Sequence, residues 1–149
     1  SDHHGRDMDV VAELALDRRG HFLATRFTGT ANIGAYLSQV APLMTTLNIV
    51  KNSIGMYRTP LVEVSTILAV TNTVPVAAYR GAGRPEGNYY MERLIDVAAA
   101  EMGIDRVALR RRNMITPDQM PWATPAAVVF MGQASRCLAP MSMPVQATS

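Results

Sequence analysis

The sequence predicts an α+β fold in which a β-hairpin and a central strand pack with two C-terminal helices. Three observations carry this. Apolar residues alternate with polar ones from Met8 to Leu16. Leu61 to Asn72 is a dense run of Val, Ile, Thr and Leu. From Pro85 to Met102 the apolar spacing changes to that of a helix, and a second helix signal follows at once.

In chain order, Met8, Val10, Ala12, Leu14 and Leu16 share one face, and Asp9, Glu13 and Asp17 the other. That period of two is a half-buried strand. Asp17-Arg18-Arg19-Gly20 is a turn, and His21 to Thr28 reads as the returning strand. The small residues Gly29 to Gly34 then carry the chain into Ala35-Tyr36-Leu37. Gln39 to Ile54 is ambiguous. Val40, Leu43, Met44, Leu47 and Val50 have helical spacing, but Thr45, Thr46 and the flanking Gly34 and Gly55 weaken it. It is a loose helix or an irregular segment. Thr59-Pro60 ends it, because the residue before a proline avoids the α region. Leu61 to Asn72 is too apolar for a one-faced strand and is expected to be central, covered on both sides. In the long helix, Tyr90, Leu94, Val97 and Ala98 form the expected apolar stripe, with Met91, Ile95 and Met102 beside it; Glu92, Asp96 and Ala99 fall on the wetter side. Gly103 is expected just past its end. Asp105 should cap a second helix through Asn113, with Arg110, Arg111 and Arg112 in its last turn, read as a solvated cationic end.

Composition narrows the function classes. The chain has 149 residues, one domain's worth. Hydrophobic residues make up 48%, enough for a core, and charged residues only 17%, which points to burial against something larger. A net charge of +2 argues against a nucleic-acid partner. No apolar run reaches the ~18 residues of a membrane span. A lone cysteine, Cys137, excludes an internal disulfide and fits a reducing, cytoplasmic setting. The polar start, Ser1-Asp2-His3-His4, shows no leader pattern. With no initiator Met, the chain reads as a piece of something longer. Ala123 to Ser149 carries one charge, Arg136, and no periodicity. We expect residues 1–124 to be one partial domain and 125–149 an atypical tail, disordered, docking to a partner or frame-shifted.

The organising stretch is Tyr79-Arg80-Gly81-Ala82-Gly83-Arg84-Pro85-Glu86-Gly87. Glycines allow close approach of a ligand and left-handed backbone. Pro85 suits the first turn of a helix. A glycine-rich loop thus ends at a helix N-terminus, where free N–H groups and the dipole favour an anion. The spacing is not the dinucleotide fingerprint, and no P-loop lysine follows. A generic phosphate-binding loop over Gly81 to Gly87 remains a competing reading.

Three segments in order resemble the xanthine dehydrogenase family: Tyr79 through Glu86, then Glu92-Arg93-Leu94-Ile95-Asp96-Val97-Ala98-Ala99, then Leu109-Arg110-Arg111-Arg112-Asn113-Met114-Ile115. Upstream, His4-Gly5-Arg6-Asp7, Ala12 through Asp17, Asn32-Ile33-Gly34-Ala35-Tyr36 and Thr71-Asn72-Thr73-Val74-Pro75 agree. The narrower resemblance is to the molybdopterin-binding large subunit of the aerobic carbon monoxide dehydrogenase type. It covers roughly residues 1–124 and implies part of a molybdenum-cofactor-binding domain.

The resemblance implies that Arg80, Gly81, Ala82 and Gly83 line the cofactor, with Arg80 as the contact. It implies molybdenum-molybdopterin, in the cytosine dinucleotide form, with FAD and 2Fe-2S clusters on a medium and a small partner subunit. The implied reaction hydroxylates an aldehyde, heterocycle or similar small molecule with water-derived oxygen. Gly81 stands where the carbon monoxide enzymes carry a copper-binding cysteine. Ala82 stands where purine-oxidising members carry a phenylalanine. Asn48 falls where those members carry a substrate-orienting arginine. The general-base glutamate of the family has no counterpart in this chain, so no catalytic residue is assigned. The alternative is a non-catalytic remnant or assembly domain that keeps the fold without cofactor.

Other candidates have plainer readings. Asp2, His3, His4 and Asp7 read as a polar lead-in to a strand rather than a metal cluster, and no metal ligand is assigned. Tyr79, Tyr89 and Tyr90 read as packing aromatics. Glu92 and Asp96 read as a solvated face, with Arg93 available to neutralise them. Arg84 binds a cofactor phosphate or pairs with Glu86. Cys137, in the tail, has no neighbouring acid or histidine in sequence.

Overall fold

Alternation and β-branching build a three-stranded mixed sheet, and the helices cover one of its faces. In the computed structural model, which describes residues 3–126 and 129–130, β1 is Met8–Leu16, β2 is Phe22–Gly34 and β3 is Leu61–Val70. Helices α1 (Ala41–Thr45) and α2 (Leu47–Asn52) lie between β2 and β3; α3 (Arg84–Met102) and α4 (Arg106–Asn113) follow. The order is β1-β2-β3, with β1 antiparallel and β3 parallel to β2. After α4, β4 (Trp122–Ala123) pairs antiparallel with β5 (Val129–Phe130). The expectations for the rest of the tail, Cys137 and Arg136 included, lie outside the described residues.

The hairpin forms as expected. Asp17 Oδ1 accepts the N–H groups of Arg19 and His21, and Gly20 takes φ 82°. Its second strand runs further than His21 to Thr28. The small residues through Gly34 remain in the sheet, paired with β1 as far as Ala31 and with β3 as far as Gly34, and at Gly29 β1 passes too close for a side chain. A Cβ on Gly29 would stand 2.2 Å from the Asp9 carbonyl oxygen.

The segment from Gln39 to Ile54 becomes two short helices broken at Thr46 (φ −116°, ψ −83°). The threonine hydroxyls make the break intelligible. Thr45 Oγ1 donates to the carbonyls of Ala41 or Pro42, and Thr46 Oγ1 to that of Pro42. Such back-bonding competes with the helical ladder.

The expectation of a central strand at Leu61 to Asn72 is corrected. Among the described residues β3 is an edge. Its inward residues pack, while Leu61 and Ile67 are each 67% exposed and Val70 72%. The apolar content is that of a two-sided strand, but the described residues supply a covering layer on one side only.

The core lies between the sheet's inner face and α3. Phe22, Tyr57, Met91, Ile95, Ala98, Ala99 and Leu109 are buried together, flanked by Leu14, Leu16 and Ile104. The α3 stripe is therefore Gly87, Met91, Ile95, Ala98 and Ala99, rotated from the predicted one. Val97 is 39% exposed and Ala99 only 3%. Bulk misled the prediction: the small residues Ala98 and Ala99 are buried with Phe22, Tyr57 and Leu109, while the larger Val97 is left partly exposed.

Both ends of α4 are tied. Asp105 Oδ1 accepts the N–H groups of Val107 and Ala108, a normal N-cap. Asn113, 2% exposed, accepts the Phe22 N–H and donates to the Gly20 and Leu109 carbonyls. It fastens the hairpin turn to α4, a role the sequence did not suggest.

The predicted solvated acidic face is also corrected. Glu92 Oε1 accepts the Tyr57 hydroxyl at 2.7 Å. Arg110, not Arg93, bridges Glu92 (2.8 Å) and Asp96 (2.9 Å). Burial, then the Glu92 carboxylate, pushes the Tyr57 phenol well above its ordinary range. Burial works against the Arg110 charge, but the hydrogen bonds to Asp96 and Glu92 outweigh it and raise its hold on the proton. Nor is the arginine triplet a uniformly solvated end: Arg110 forms this bridge and Arg112 Nη1 donates to the Arg19 carbonyl.

Candidate functional site: the left-handed loop before α3

Arg80, Gly81, Ala82 and Gly83 form one tight turn between a buried extended segment, Val76–Ala77, and the first turn of α3. Ala82 N–H donates to the Tyr79 carbonyl (2.8 Å) and Arg84 N–H to that of Gly81 (3.1 Å). Three consecutive residues have positive φ: Gly81 at 100°, Ala82 at 48° and Gly83 at 88°. The glycines are required for more than dihedral freedom. A Cβ on Gly83 would stand 2.0 Å from the Met44 carbonyl oxygen, and one on Gly81 2.5 Å from Pro85 Cγ. Ala82 is a non-glycine residue in the left-handed region, a conformation that costs an L-residue roughly 1–2 kcal/mol. Its side chain offsets part of that by packing on Ile33, Ala41 and Met44.

The loop is held from two sides. On one side, Arg6 reaches across from the N-terminal segment. Its Nη2 donates to the Arg80 carbonyl (3.3 Å) and its Nε to Glu86 Oε1 (2.6 Å), and its Cζ lies 4.6 Å from the Tyr79 ring centroid. On the other side, Asn48 Nδ2 donates to the Ala82 carbonyl at 2.7 Å. Arg84 Nη1 donates to the Gly81 carbonyl (3.3 Å), and Glu86 takes Arg6 as its partner, so of the two alternatives left open for Arg84 the pair with Glu86 does not form.

Loop carbonyls are thus occupied while charge and donors remain free. Arg80 is exposed, and its guanidinium has no ion-pair or hydrogen-bond partner among the described residues. The N–H groups of Gly81 and Gly83 likewise meet no acceptor there. A cation and unpaired N–H groups at the start of a 19-residue helix make a surface suited to an anionic group. In the first turn of α3, Glu86 Oε2 is buried without a partner among the described residues.

The four site residues named from the sequence are contiguous and fall in this one place. The structure adds Arg6 and gives Asn48, named from the resemblance only as a substrate-side position, a contact with the loop itself. The sequence held one signal for Arg6, its position in His4-Gly5-Arg6-Asp7, but none for its distant partners. The remaining candidates stay apart. His3 and His4 are exposed, and Asp7 accepts from Asn32 Nδ2 (2.7 Å). Asp2 lies outside the described residues. No group of three His, Cys, Asp or Glu gathers among the described residues. Tyr90 packs with Phe27 and Tyr89 at ring distances of 6.1 and 6.2 Å, while Tyr79 lies beneath Arg6. No helix among the described residues is long and apolar enough to cross a membrane.

The molybdopterin cofactor-binding domain matches residues 1–114. The 6-hydroxypseudooxynicotine dehydrogenase complex subunit gamma of Paenarthrobacter nicotinovorans is 40% identical over 121 residues, 80% of this chain and 15% of that protein. The carbon monoxide dehydrogenase large chain of Hydrogenophaga pseudoflava is 31% identical over 121 residues, again 80% of this chain and 15% of that one. Among solved structures, quinoline 2-oxidoreductase from Pseudomonas putida 86 superposes with a TM-score of 0.77 at 32% identity, covering 87% of this chain and 16% of that one. This chain therefore spans about 15% of the length of the curated relatives it matches. A domain match across most of its length, and relatives this similar over four-fifths of it, place the chain in the molybdopterin cofactor-binding domain family of the molybdenum hydroxylases.

Proposed function

We propose that the chain supplies one wall of the cofactor pocket in the large subunit of a molybdenum hydroxylase. The observation that carries this is the unpaired Arg80 guanidinium beside a left-handed loop whose carbonyls are taken and whose Gly81 and Gly83 N–H groups are free. These residues fit an anionic pterin group: Arg80 supplies the charge, and Gly81 and Gly83 supply the donors. When bound, molybdenum-molybdopterin supplies the two-electron redox chemistry by which a small molecule is hydroxylated with water-derived oxygen. This chain's residues bind and orient; none is assigned to proton transfer.

The substrate class that fits is an aldehyde or heterocycle. Gly81 offers no thiolate for copper, and Ala82 no aromatic face for a purine. Relatives named for hydroxypseudooxynicotine and quinoline favour a nitrogen heterocycle. The cytosine dinucleotide form of the cofactor, partner subunits carrying FAD and 2Fe-2S clusters, and a cytoplasmic location belong to the same reading.

The test is molybdenum and pterin content of the protein purified in its natural assembly, wild type against Arg80→Ala. Near-stoichiometric metal and pterin are expected in the wild type. Retention should fall at least tenfold in the variant, while the cofactor-free forms of the two proteins melt at the same temperature, because the Arg80 side chain supports no fold contact. Full retention by Arg80→Ala removes Arg80 from the site. No cofactor in a folded wild-type assembly leaves the fold as a non-catalytic domain.

A further inference from the structure

We propose that Asn48 is the positioning residue of this loop, and that one hydrogen bond, Asn48 Nδ2 to the Ala82 carbonyl, sets the orientation in which the loop meets its ligand. The inference rests on the reading of the loop as a cofactor wall and deepens it.

The loop's backbone is strained. Among the described residues only two non-glycine positions, Arg6 and Ala82, have positive φ, and both belong to this loop's construction. Strained backbone persists only where its surroundings over-determine it. Ala82 has four such restraints. Its methyl packs on Ile33, Ala41 and Met44; its successor, Gly83, abuts the Met44 carbonyl; its N–H donates to the Tyr79 carbonyl at 2.8 Å; and its own carbonyl is taken by Asn48 at 2.7 Å. The first two are steric, and the third acts on the preceding peptide. Of the four, the Asn48 bond is the one that acts on the Ala82 carbonyl itself, and therefore on where the Gly83 N–H on the same peptide plane points.

Asn48 is itself fixed. It sits in the first turn of α2, and its backbone carbonyl accepts Asn52 Nδ2 at 2.6 Å. The break at Thr46 starts α2 afresh, and Asn48 lies two residues beyond it. The short, interrupted helices thus have a purpose: α1 presents Met44 to Gly83, and α2 presents Asn48 to Ala82. A carboxylate at position 48 would face the carbonyl with a like partial charge, whereas a protonated carboxyl would donate to it.

That difference gives a test no merely structural role would pass. Amide resonances of Gly81, Ala82 and Gly83 are followed by NMR in the isotope-labelled full chain, with the melting temperature as control. In Asn48→Ala they shift at every pH, and exchange at the Ala82 and Arg84 amides accelerates roughly tenfold. In Asn48→Asp they match the wild type while the carboxyl is protonated and depart as it ionises, with a midpoint near or above about pH 4. Loop resonances unmoved in Asn48→Ala, or indifferent to pH in Asn48→Asp, overturn the proposal. If neither variant folds, the wild-type chain decides it. Asn48 side-chain amide protons that exchange well below the rate of those on exposed Asn88 support the clamp, and equal rates overturn it. A pH-gated loop in a protein that retains no molybdenum or pterin removes the proposed function and leaves the clamp. An unmoved loop in Asn48→Ala with cofactor fully retained removes the clamp and leaves the function.

Discussion

Helix α3 has a left-handed glycine at each end, and the two do different work. Gly103, at φ 63°, closes the helix; a Cβ there would meet nothing within 4 Å. Its conformation lets the Ile104 N–H return to the Ala99 carbonyl at 3.0 Å and seats Ile104 on the core. Gly83, at φ 88°, opens the helix, and its Cα hydrogen fills the place a Cβ would take against the Met44 carbonyl. One end is a local solution to a helix terminus. The other is a docking contact between elements 39 positions apart in the chain (83 less 44). The same residue type in the same backbone region can mean either, and only the neighbours tell them apart.

Substitutions at the two ends should separate these meanings. Gly83→Ala is expected to cost most, roughly 3–5 kcal/mol, since overpacking against backbone adds to the left-handed penalty. Denaturant unfolding should show it, and a loss below about 1 kcal/mol would mean α1 yields easily. Next comes Ile95→Ala in mid-helix, fully buried in the core; cavity formation predicts about 2–4 kcal/mol. Because this site is remote from the loop, Gly81 to Gly83 resonances should stay in place, whereas Gly83→Ala should move them. Gly103→Ala comes third, at about 1 kcal/mol, with only the conformational penalty to meet. If Gly83→Ala and Gly103→Ala cost the same, the contrast between the two ends is broken.

The smallest expected effect lies away from both ends, at the hairpin turn. The His21 backbone N–H, then the His21 ring, hold the half-buried Asp17 carboxyl down at about 2 from 3.8. A folded-state value below the unfolded one means the contribution is present above pH 3.8 and is lost as pH falls toward about 2. The stability difference between wild type and Asp17→Ala should therefore shrink over that window. A difference that persists undiminished to the acid end would remove the carboxylate from the turn's stability.

Much of the fold was legible because local rules govern it. Alternation placed β1, the Asp17 to Gly20 turn placed the hairpin, and Asp105 and Gly103 marked their helix ends. The long helix was found but its stripe misplaced, because the period alone cannot say that Ala98 and Ala99, rather than Val97, are buried in the core. The strand status of Leu61 to Val70 was right and its place in the sheet was not, since composition reports compatibility with burial rather than the presence of a cover. Within the site, Arg80 to Gly83 were recoverable as a contiguous motif. Arg6 and Asn48 were not recoverable as supports, because their partners lie 74 and 34 residues away.

By itself, then, the sequence determined the secondary elements and the one stretch able to meet an anion, because backbone propensity, capping and glycine freedom are local properties. The tertiary structure alone decided which charges stay free. Arg110 and Arg6 find carboxylates and Arg80 does not, and Gly83 is pinned where Gly103 is not. Those outcomes depend on which distant atoms arrive within 3 or 4 Å of a side chain, and spacing along the chain does not encode that.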